Sequence, residues 1–214
     1  ALAVLLLAGL LPAAAFAASS EHNIEDGDVS FGAGDCTGGC EGHIVTGTSN
    51  SGWNWERNKI DISGGTHTVL LRDCTIKTPV ILGGAGSALD VHNGANVTLV
   101  LEGANELHGQ GNKPAIWVEP GSTLTIEGTG SLSAYAGGGS SGTGAAAIGS
   151  AYGTNTSFGD IIIESGTVYA EGSGGAGIGG GYELGIGSVS GNITINGGWV
   201  KAVGGESALG VTGG

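Results

Sequence analysis

Basic and aromatic residues are scarce in this 214-residue sequence, which has only 6 Lys and Arg, 4 Pro, 3 Cys and no Met, with 5% aromatic residues. The sequence has 19 Asp and Glu, so its formal net charge is -13. Nucleic acids and anionic membrane surfaces are therefore poor partners, because both require basic patches. The shortage of Pro, with Gly at no fixed third position, also excludes collagen.

Glycine is abundant instead, at 47 residues, and 40% of the chain is hydrophobic. Disorder is disfavoured because Ile, Val and Leu are spread along the chain and can form a core. Long helices are disfavoured because each interior Gly costs about 1 kcal/mol relative to Ala. The composition predicts a β-rich protein with many tight turns.

The first 17 residues, ALAVLLLAGLLPAAAFA, carry no charge and end in Ala15-Phe16-Ala17. This small-x-small ending is typical of a signal-peptidase site, and Pro12 with the short length argues against a membrane span. We expect a mature chain that begins near Ala18, is secreted or displayed at the cell surface, and is not inserted in the membrane after cleavage. The sequence has no initiator Met and its pattern stops in mid-repeat. We therefore expect the signal peptide to be truncated at its start and the repeats to be truncated at their end. We expect the chain to be a monomeric module of a longer protein.

Two of the cysteines, Cys36 and Cys40 in CTGGC, are close enough to form a small disulfide in an exported protein. The alternative is a metal site, since Cys36, Cys40 and His43 have a C-x3-C-x2-H spacing that His22 or Asp35 could complete. No second ligand pair follows at a zinc-finger spacing. Cys74 is interpreted as a small buried or turn residue.

Short apolar alternations recur, each followed by a polar residue and a Gly-rich turn. Aligned at their last apolar residues (Leu71, Leu101, Ile126, Ile163 and Ile195), they predict one strand per repeat. A second strand follows each, and a third precedes it, since Ala88-Leu89-Asp90-Val91 matches Ala115-Ile116-Trp117-Val118. Alternate residues would then stack into aliphatic columns, among them Leu99, Leu101, Leu124, Ile126, Ile161, Ile163, Ile193 and Ile195.

Three short strands per unit predict an all-β fold, a right-handed parallel β-helix, over residues 64–214. A β-sandwich is the alternative, but two-residue Asn-Gly hairpin loops are scarce. Residues 18–63 fit the repeat less clearly. We expect this segment, which contains Trp53 and Trp55, to be an N-terminal cap that covers the exposed end of the stack.

The runs 161–181 (IIIESGTVYAEGSGGAGIGGG) and 193–205 (ITINGGWVKAVGG) resemble the glycine-rich repeats of exported bacterial surface proteins. Residues 88–109 and 115–134 are similar to the rungs that precede that array, so the resemblance covers about residues 60–214. Such proteins are described as surface β-helix or carbohydrate-binding-domain-like proteins. The resemblance implies a wall-associated or secreted scaffolding and binding role, and it brings no catalytic residues.

Two tryptophans are the candidate ligand-binding residues. If Ile116 and Val118 face inward, Trp117 faces outward at the position of Asp90 in the previous rung, and Trp199 likewise replaces Thr167. An outward indole on a flat β face can stack on a sugar ring. Cell-wall or host glycans are the predicted partners, and burial of either indole under a loop is the alternative.

Three glutamates are the candidate metal ligands. The repeat alignment places Arg72, Glu102, Glu127, Glu164 and Asn196 at one corner, which would stack three carboxylates on successive rungs. Calcium prefers carboxylate oxygens and could bridge them, whereas splayed, solvated side chains are the alternative. No other cofactor is predicted.

Catalysis is not predicted. Pectin-active lyases and hydrolases also use parallel β-helices, but they need clustered Asp residues, and Asp61, Asp73, Asp90 and Asp160 are scattered along the chain. His67, His92 and His108 are interpreted as surface residues. The sequence thus predicts a surface scaffold or adhesin module that binds glycans, with a purely structural stalk or a polysaccharide lyase or hydrolase as alternatives.

Overall fold

The computed structural model describes residues 20–33, 42–50, 58–77, 86–138, 144–153, 156–182 and 190–206. These residues form strands, turns and a single 3-10 turn at Ile24–Asp26, with no α-helix among them, and hence no helix long and apolar enough to cross a membrane. The predicted signal peptide, the Cys36–Cys40 bridge or metal site, and Trp53 and Trp55 lie outside the described residues.

Seventeen strands follow one another in the part of the chain that the structure describes. They are β1 (Ser20–Asn23), β2 (Val29–Gly32), β3 (His43–Asn50), β4 (Ile60–Ser63), β5 (Thr66–Lys77), β6 (Leu89–His92), β7 (Asn96–Glu102), β8 (Ala104–His108), β9 (Ile116–Val118), β10 (Thr123–Gly128), β11 (Ser131–Tyr135), β12 (Ile148–Gly149), β13 (Asp160–Ile163), β14 (Thr167–Glu171), β15 (Ile178–Gly179), β16 (Ile193–Ile195) and β17 (Trp199–Val203).

The strands form two sheets whose ladders are all parallel. The larger sheet has 11 strands, and β5 pairs with β7 through its first half and with β8 through its second half. The smaller sheet runs β15-β12-β9-β6-β4-β2. The chain alternates between the sheets once per turn, for about 5 turns, which confirms the predicted parallel β-helix.

The core consists of in-register aliphatic columns inside the solenoid. Val69, Leu99, Ile126 and Ile163 stack on successive rungs, and each is 0% exposed. Burying one such side chain stabilises the fold by about 1.5–3 kcal/mol. Ile193 and Ile195 continue the columns but are 43% and 54% exposed, because β16 is the last strand of its ladder among the described residues.

One step of the predicted repeat alignment is wrong. Leu71 does pair with Leu101, but Ile126 pairs with Leu99 rather than with Leu101, a slip of two residues. The same slip places Leu132 beside Asn105 instead of Leu107. Side chains in a strand alternate with period 2, so a two-residue slip keeps every apolar residue on the inner face and the hydrophobic pattern cannot detect it.

The corner between β7 and β8 is one residue longer than the same part of β5, since Arg72 pairs with Glu102 and Thr75 pairs with Glu106. Gly103 has φ +66°, a conformation that favours glycine, and a Cβ there would lie 2.0 Å from Asp73 Oδ1 and displace that side chain. Asn105 follows and is 3% exposed. Its side chain accepts a hydrogen bond from Cys74 N (2.9 Å) and donates to Glu102 O and Ser131 O (3.1 Å each), so one buried amide joins three rungs.

The segment predicted as an N-terminal cap contributes rungs of its own. Within residues 18–63, β1 pairs with β3 and β2 pairs with β4, and both β3 and β4 continue into the following rungs. The core therefore extends upstream of residue 64, with Phe31 and Ile62 4% and 0% exposed. His67, interpreted above as a surface residue, is also part of this interior at 2% exposed, and its Nε2 lies 2.8 Å from Gly64 O.

Candidate functional site

Trp117 lies in β9 on the outer surface of the smaller sheet, as its alternation with buried Ile116 and Val118 predicts. In register, Asp90 of β6 is its neighbour on one side and Gly149 of β12 on the other. Gly149 has no side chain, so β12 places nothing against that side of the indole. The indole is left half-buried.

A cavity of about 460 Å³ adjoins Trp117. This volume is within the range of small-molecule sites, roughly 300–1,000 Å³. Its lining combines aromatic, charged and hydroxyl side chains, and its residues come from two successive rungs. They are Lys113, Trp117, Glu119, Pro120, Ser150, Ala151, Tyr152 and Ser157.

Hydrogen bonds and ring contacts hold the cavity wall in place. Ser150 is buried, and its hydroxyl donates to Thr156 O (2.6 Å) and accepts from Gly181 N (3.0 Å). Tyr152 stacks on Tyr182 of the next rung, with centroids 6.1 Å apart and ring planes at 18°. The rim is thus fixed before any ligand arrives, which lowers the entropic cost of binding.

Charged groups surround the indole at the cavity. Lys113 Nζ lies 5.4 Å from the Trp117 ring centroid, which is within cation–π distance. Glu119 Oε2 accepts a hydrogen bond from Asn93 N (2.7 Å), which orients its carboxylate. A cation and a carboxylate at one cavity provide donors and acceptors around an aromatic surface.

Beside Trp117 lies an ion-pair cluster of Lys59, Asp61, Asp90 and His92. Lys59 Nζ is 2.7 Å from Asp61 Oδ1 and 3.1 Å from Asp90 Oδ2, and His92 Nε2 is 3.3 Å from Asp61 Oδ2. Burial raises the pKa of Asp61, but hydrogen bonds from Lys59 and His92 outweigh burial and hold that pKa below its ordinary value. Burial likewise lowers the pKa of Lys59, but the two carboxylates outweigh it, so the pKa is raised.

The expectation that the aspartates are scattered is wrong for this pair, because Asp61 and Asp90 are register partners in β4 and β6. The sequence contains the signal: Ile60-Asp61-Ile62 repeats the pattern of Leu89-Asp90-Val91. The predicted repeats begin at residue 64 and therefore leave Asp61 out.

Trp199 lies elsewhere. It is 55% exposed in β17 and pairs with Thr167, as the alignment predicts. However, β17 belongs to the larger sheet and β9 to the smaller one, so the two tryptophans do not form one site.

The three predicted calcium ligands do not share a corner. Glu102 pairs with Arg72, and their side chains form hydrogen bonds of 3.1 and 3.2 Å. Glu127 instead stacks beside Val100, two residues away from Glu102 in register. Within the described ranges, no group of three or more His, Cys, Asp or Glu side chains is placed to hold a metal.

Glu127 and Glu164 do follow register partners, Ile126 and Ile163. Burial, and then the charge of Glu164, raise the pKa of Glu127. Asn196 Nδ2 donates to Glu164 Oε1 (2.9 Å), so the next rung places a neutral hydrogen-bond donor, not a third carboxylate, in this column.

A second outer face carries a ladder that the sequence analysis missed. His108 stacks on Tyr135 with centroids 4.7 Å apart, Tyr135 lies 5.8 Å from Tyr169, and Lys201 Nζ lies 5.3 Å from the Tyr169 centroid. Burial raises the pKa of Glu106, but His108 and Lys77 outweigh it and lower that pKa. These contacts join four rungs by cross-strand stacking.

The fold and the cavity define a parallel β-solenoid with an aromatic-walled cavity on its smaller sheet. No protein-family model, curated protein or solved structure matches the chain. The function is therefore inferred from the Trp117 cavity itself.

Proposed function

We propose that the chain is an exported, non-catalytic β-helix module that binds glycans at the Trp117 cavity. The observation that supports this most directly is the half-buried indole with Lys113, Glu119 and Tyr152 at one cavity of about 460 Å³. The C–H groups of a pyranose pack against an aromatic face, while its hydroxyls need the donors and acceptors that surround the ring.

Export to the cell surface belongs to the same proposal. It is supported by the uncharged run at residues 1–17, by the formal charge of -13 and by the resemblance of the repeats to those of bacterial surface proteins. A cell-wall or host glycan is then the partner within reach. A stalk without a ligand would need no cavity of this composition.

Catalysis is the weaker alternative, although Asp61 and Asp90 lie side by side near Trp117. Lys59 forms ion pairs with both carboxylates, and the pKa of Asp61 is lowered. A general acid needs a raised pKa, so Asp61 is not suited to donate a proton in glycoside cleavage. We expect no release of reducing ends or unsaturated sugars from pectin-like polymers.

The test is a glycan array followed by titration calorimetry of the glycan bound most tightly. Trp117→Ala should weaken binding at least about tenfold, because it removes the stacking surface. Trp199→Ala makes the same change on the larger sheet and should leave this affinity unchanged. If Trp199→Ala abolishes binding and Trp117→Ala does not, the ligand lies on the other sheet and the proposal is wrong.

A further inference from the structure

We infer that the Trp117 cavity takes a linear oligosaccharide rather than a single sugar, and that the ligand extends along the solenoid axis from Trp117 towards Tyr182. This inference rests on the proposed function and specifies the ligand class. Three features of the structure support it: the cavity volume, the aromatic surface beyond the cavity and the closure of the opposite side.

The volume exceeds the needs of one pyranose. A hexose has about 12 heavy atoms. If each heavy atom takes no more than the ~30 Å³ that one molecule occupies in liquid water, one sugar needs less than ~360 Å³. The cavity measures about 460 Å³. A single sugar would leave space beside it, so the cavity has room for at least part of a second sugar.

The aromatic wall continues past the cavity on one side. Tyr152 lines the cavity, and Tyr182 belongs to the next rung, where Gly153 N donates to Tyr182 O (3.3 Å). The two rings are nearly parallel, at 18° with centroids 6.1 Å apart. Tyr182 is half-buried and lies outside the cavity lining, so only a ligand longer than the cavity reaches it.

The opposite side of Trp117 is closed. The His92 ring lies nearly parallel to the indole, at 8° with centroids 6.5 Å apart. Behind it, Lys59 is ion-paired to both Asp61 and Asp90, and the Asp90 side chain is only 13% exposed. Displacing these paired, partly buried charges is costly, so the ligand extends only towards Tyr182.

The experiment titrates the intact chain with glucose, galactose, mannose and N-acetylglucosamine and with their linear oligomers of two to four units. Affinity should rise about tenfold between the monosaccharide and the trisaccharide of the series that binds. Tyr182→Ala should remove most of that rise, and it should weaken monosaccharide binding much less than trisaccharide binding. Tyr182→Phe keeps the ring and should keep the rise, and Tyr135→Ala, on the other sheet, is the matched control.

The outcomes separate the two proposals. If the monosaccharide binds as tightly as the trisaccharide, and Trp117→Ala still abolishes binding, the extended site is wrong while glycan binding at Trp117 stands. If affinity rises with length equally in Tyr182→Ala and in the unmodified chain, the direction of extension is wrong. If no member of any series binds, both proposals are overturned.

Discussion

The upstream rungs of the solenoid, β4 to β9, and the downstream rungs, β12 to β17, are held together differently. On the smaller sheet the strands shorten from four residues in β4 and β6 to three in β9 and two in β12 and β15. In the larger sheet one inner column changes from Ile76 and Leu107 to Ala134 and Ala170. Large side chains fill this column upstream, whereas downstream it narrows to alanine and the backbones nearby approach closely.

Glycine permits that close approach. A Cβ on Gly177 would lie 2.5 Å from Val203 N, and a Cβ on Gly175 would lie 2.7 Å from Gly181 Cα. Trp117 lies where the smaller sheet narrows, with Asp90 upstream and Gly149 downstream. The cavity therefore lies at the transition between the two kinds of rung.

The largest expected effect is in the upstream core. Leu99→Ala should lower the free energy of unfolding by about 2–5 kcal/mol, because it removes a fully buried side chain and leaves a cavity between Val69 and Ile126. Urea unfolding measures this. A loss below about 1 kcal/mol would show that side-chain packing does not dominate these rungs.

The buried amide at the β7–β8 corner should come next. Asn105→Ala leaves Cys74 N, Glu102 O and Ser131 O without their side-chain partner, and a buried unpaired polar group costs about 1–3 kcal/mol. Asn105→Leu is the comparison variant, because it introduces the residue type that the next rung has at its register partner, Leu132. If Asn105→Leu is as stable as the unmodified chain, the amide is not needed to hold the corner.

A downstream glycine tests the other half of the comparison. Gly177→Ala should cost about 1–3 kcal/mol, because the new methyl group overlaps backbone atoms of Ala170 and Val203. Gly153→Ala is the control, since nothing lies within 4 Å of a Cβ there, and its stability should stay within about 0.5 kcal/mol. Equal losses in the two variants would contradict close backbone packing as the cause.

The smallest effect concerns the stacked glutamates. Because the pKa of Glu127 is raised in the folded chain, its stabilising contribution is present below the ordinary pKa and is lost as pH rises through the raised value. Glu127→Gln should therefore raise Tm by about 1 °C at pH 7 and by nothing at pH 3.

Glu102→Gln is the matched control for this change, since Glu102 is paired with Arg72. Its Tm at pH 7 should not rise. If both variants raise Tm equally, the two glutamates have equivalent surroundings, contrary to the observed register.

The repeat could be predicted from the sequence because buried alternation marks every rung, and the match of Asp90 with Trp117 and of Thr167 with Trp199 followed directly. The register between Leu99 and Ile126 could not, because a two-residue slip leaves the apolar pattern unchanged. The cavity could be predicted only in part. Lys113, Glu119 and Tyr152 belong to connections between strands, which have no period, so only the fold brings them to Trp117.

The most direct test of glycan binding at the cavity is fluorescence from a variant in which Trp117 is the sole remaining tryptophan of the 4, the others being replaced by Phe. The glycan bound most tightly by the unmodified chain is titrated into it. We expect a saturable change in the Trp117 emission, with a midpoint that agrees with the calorimetric affinity, because the sugar covers the indole. Binding detected by calorimetry in the same variant with no change in emission would contradict contact at Trp117.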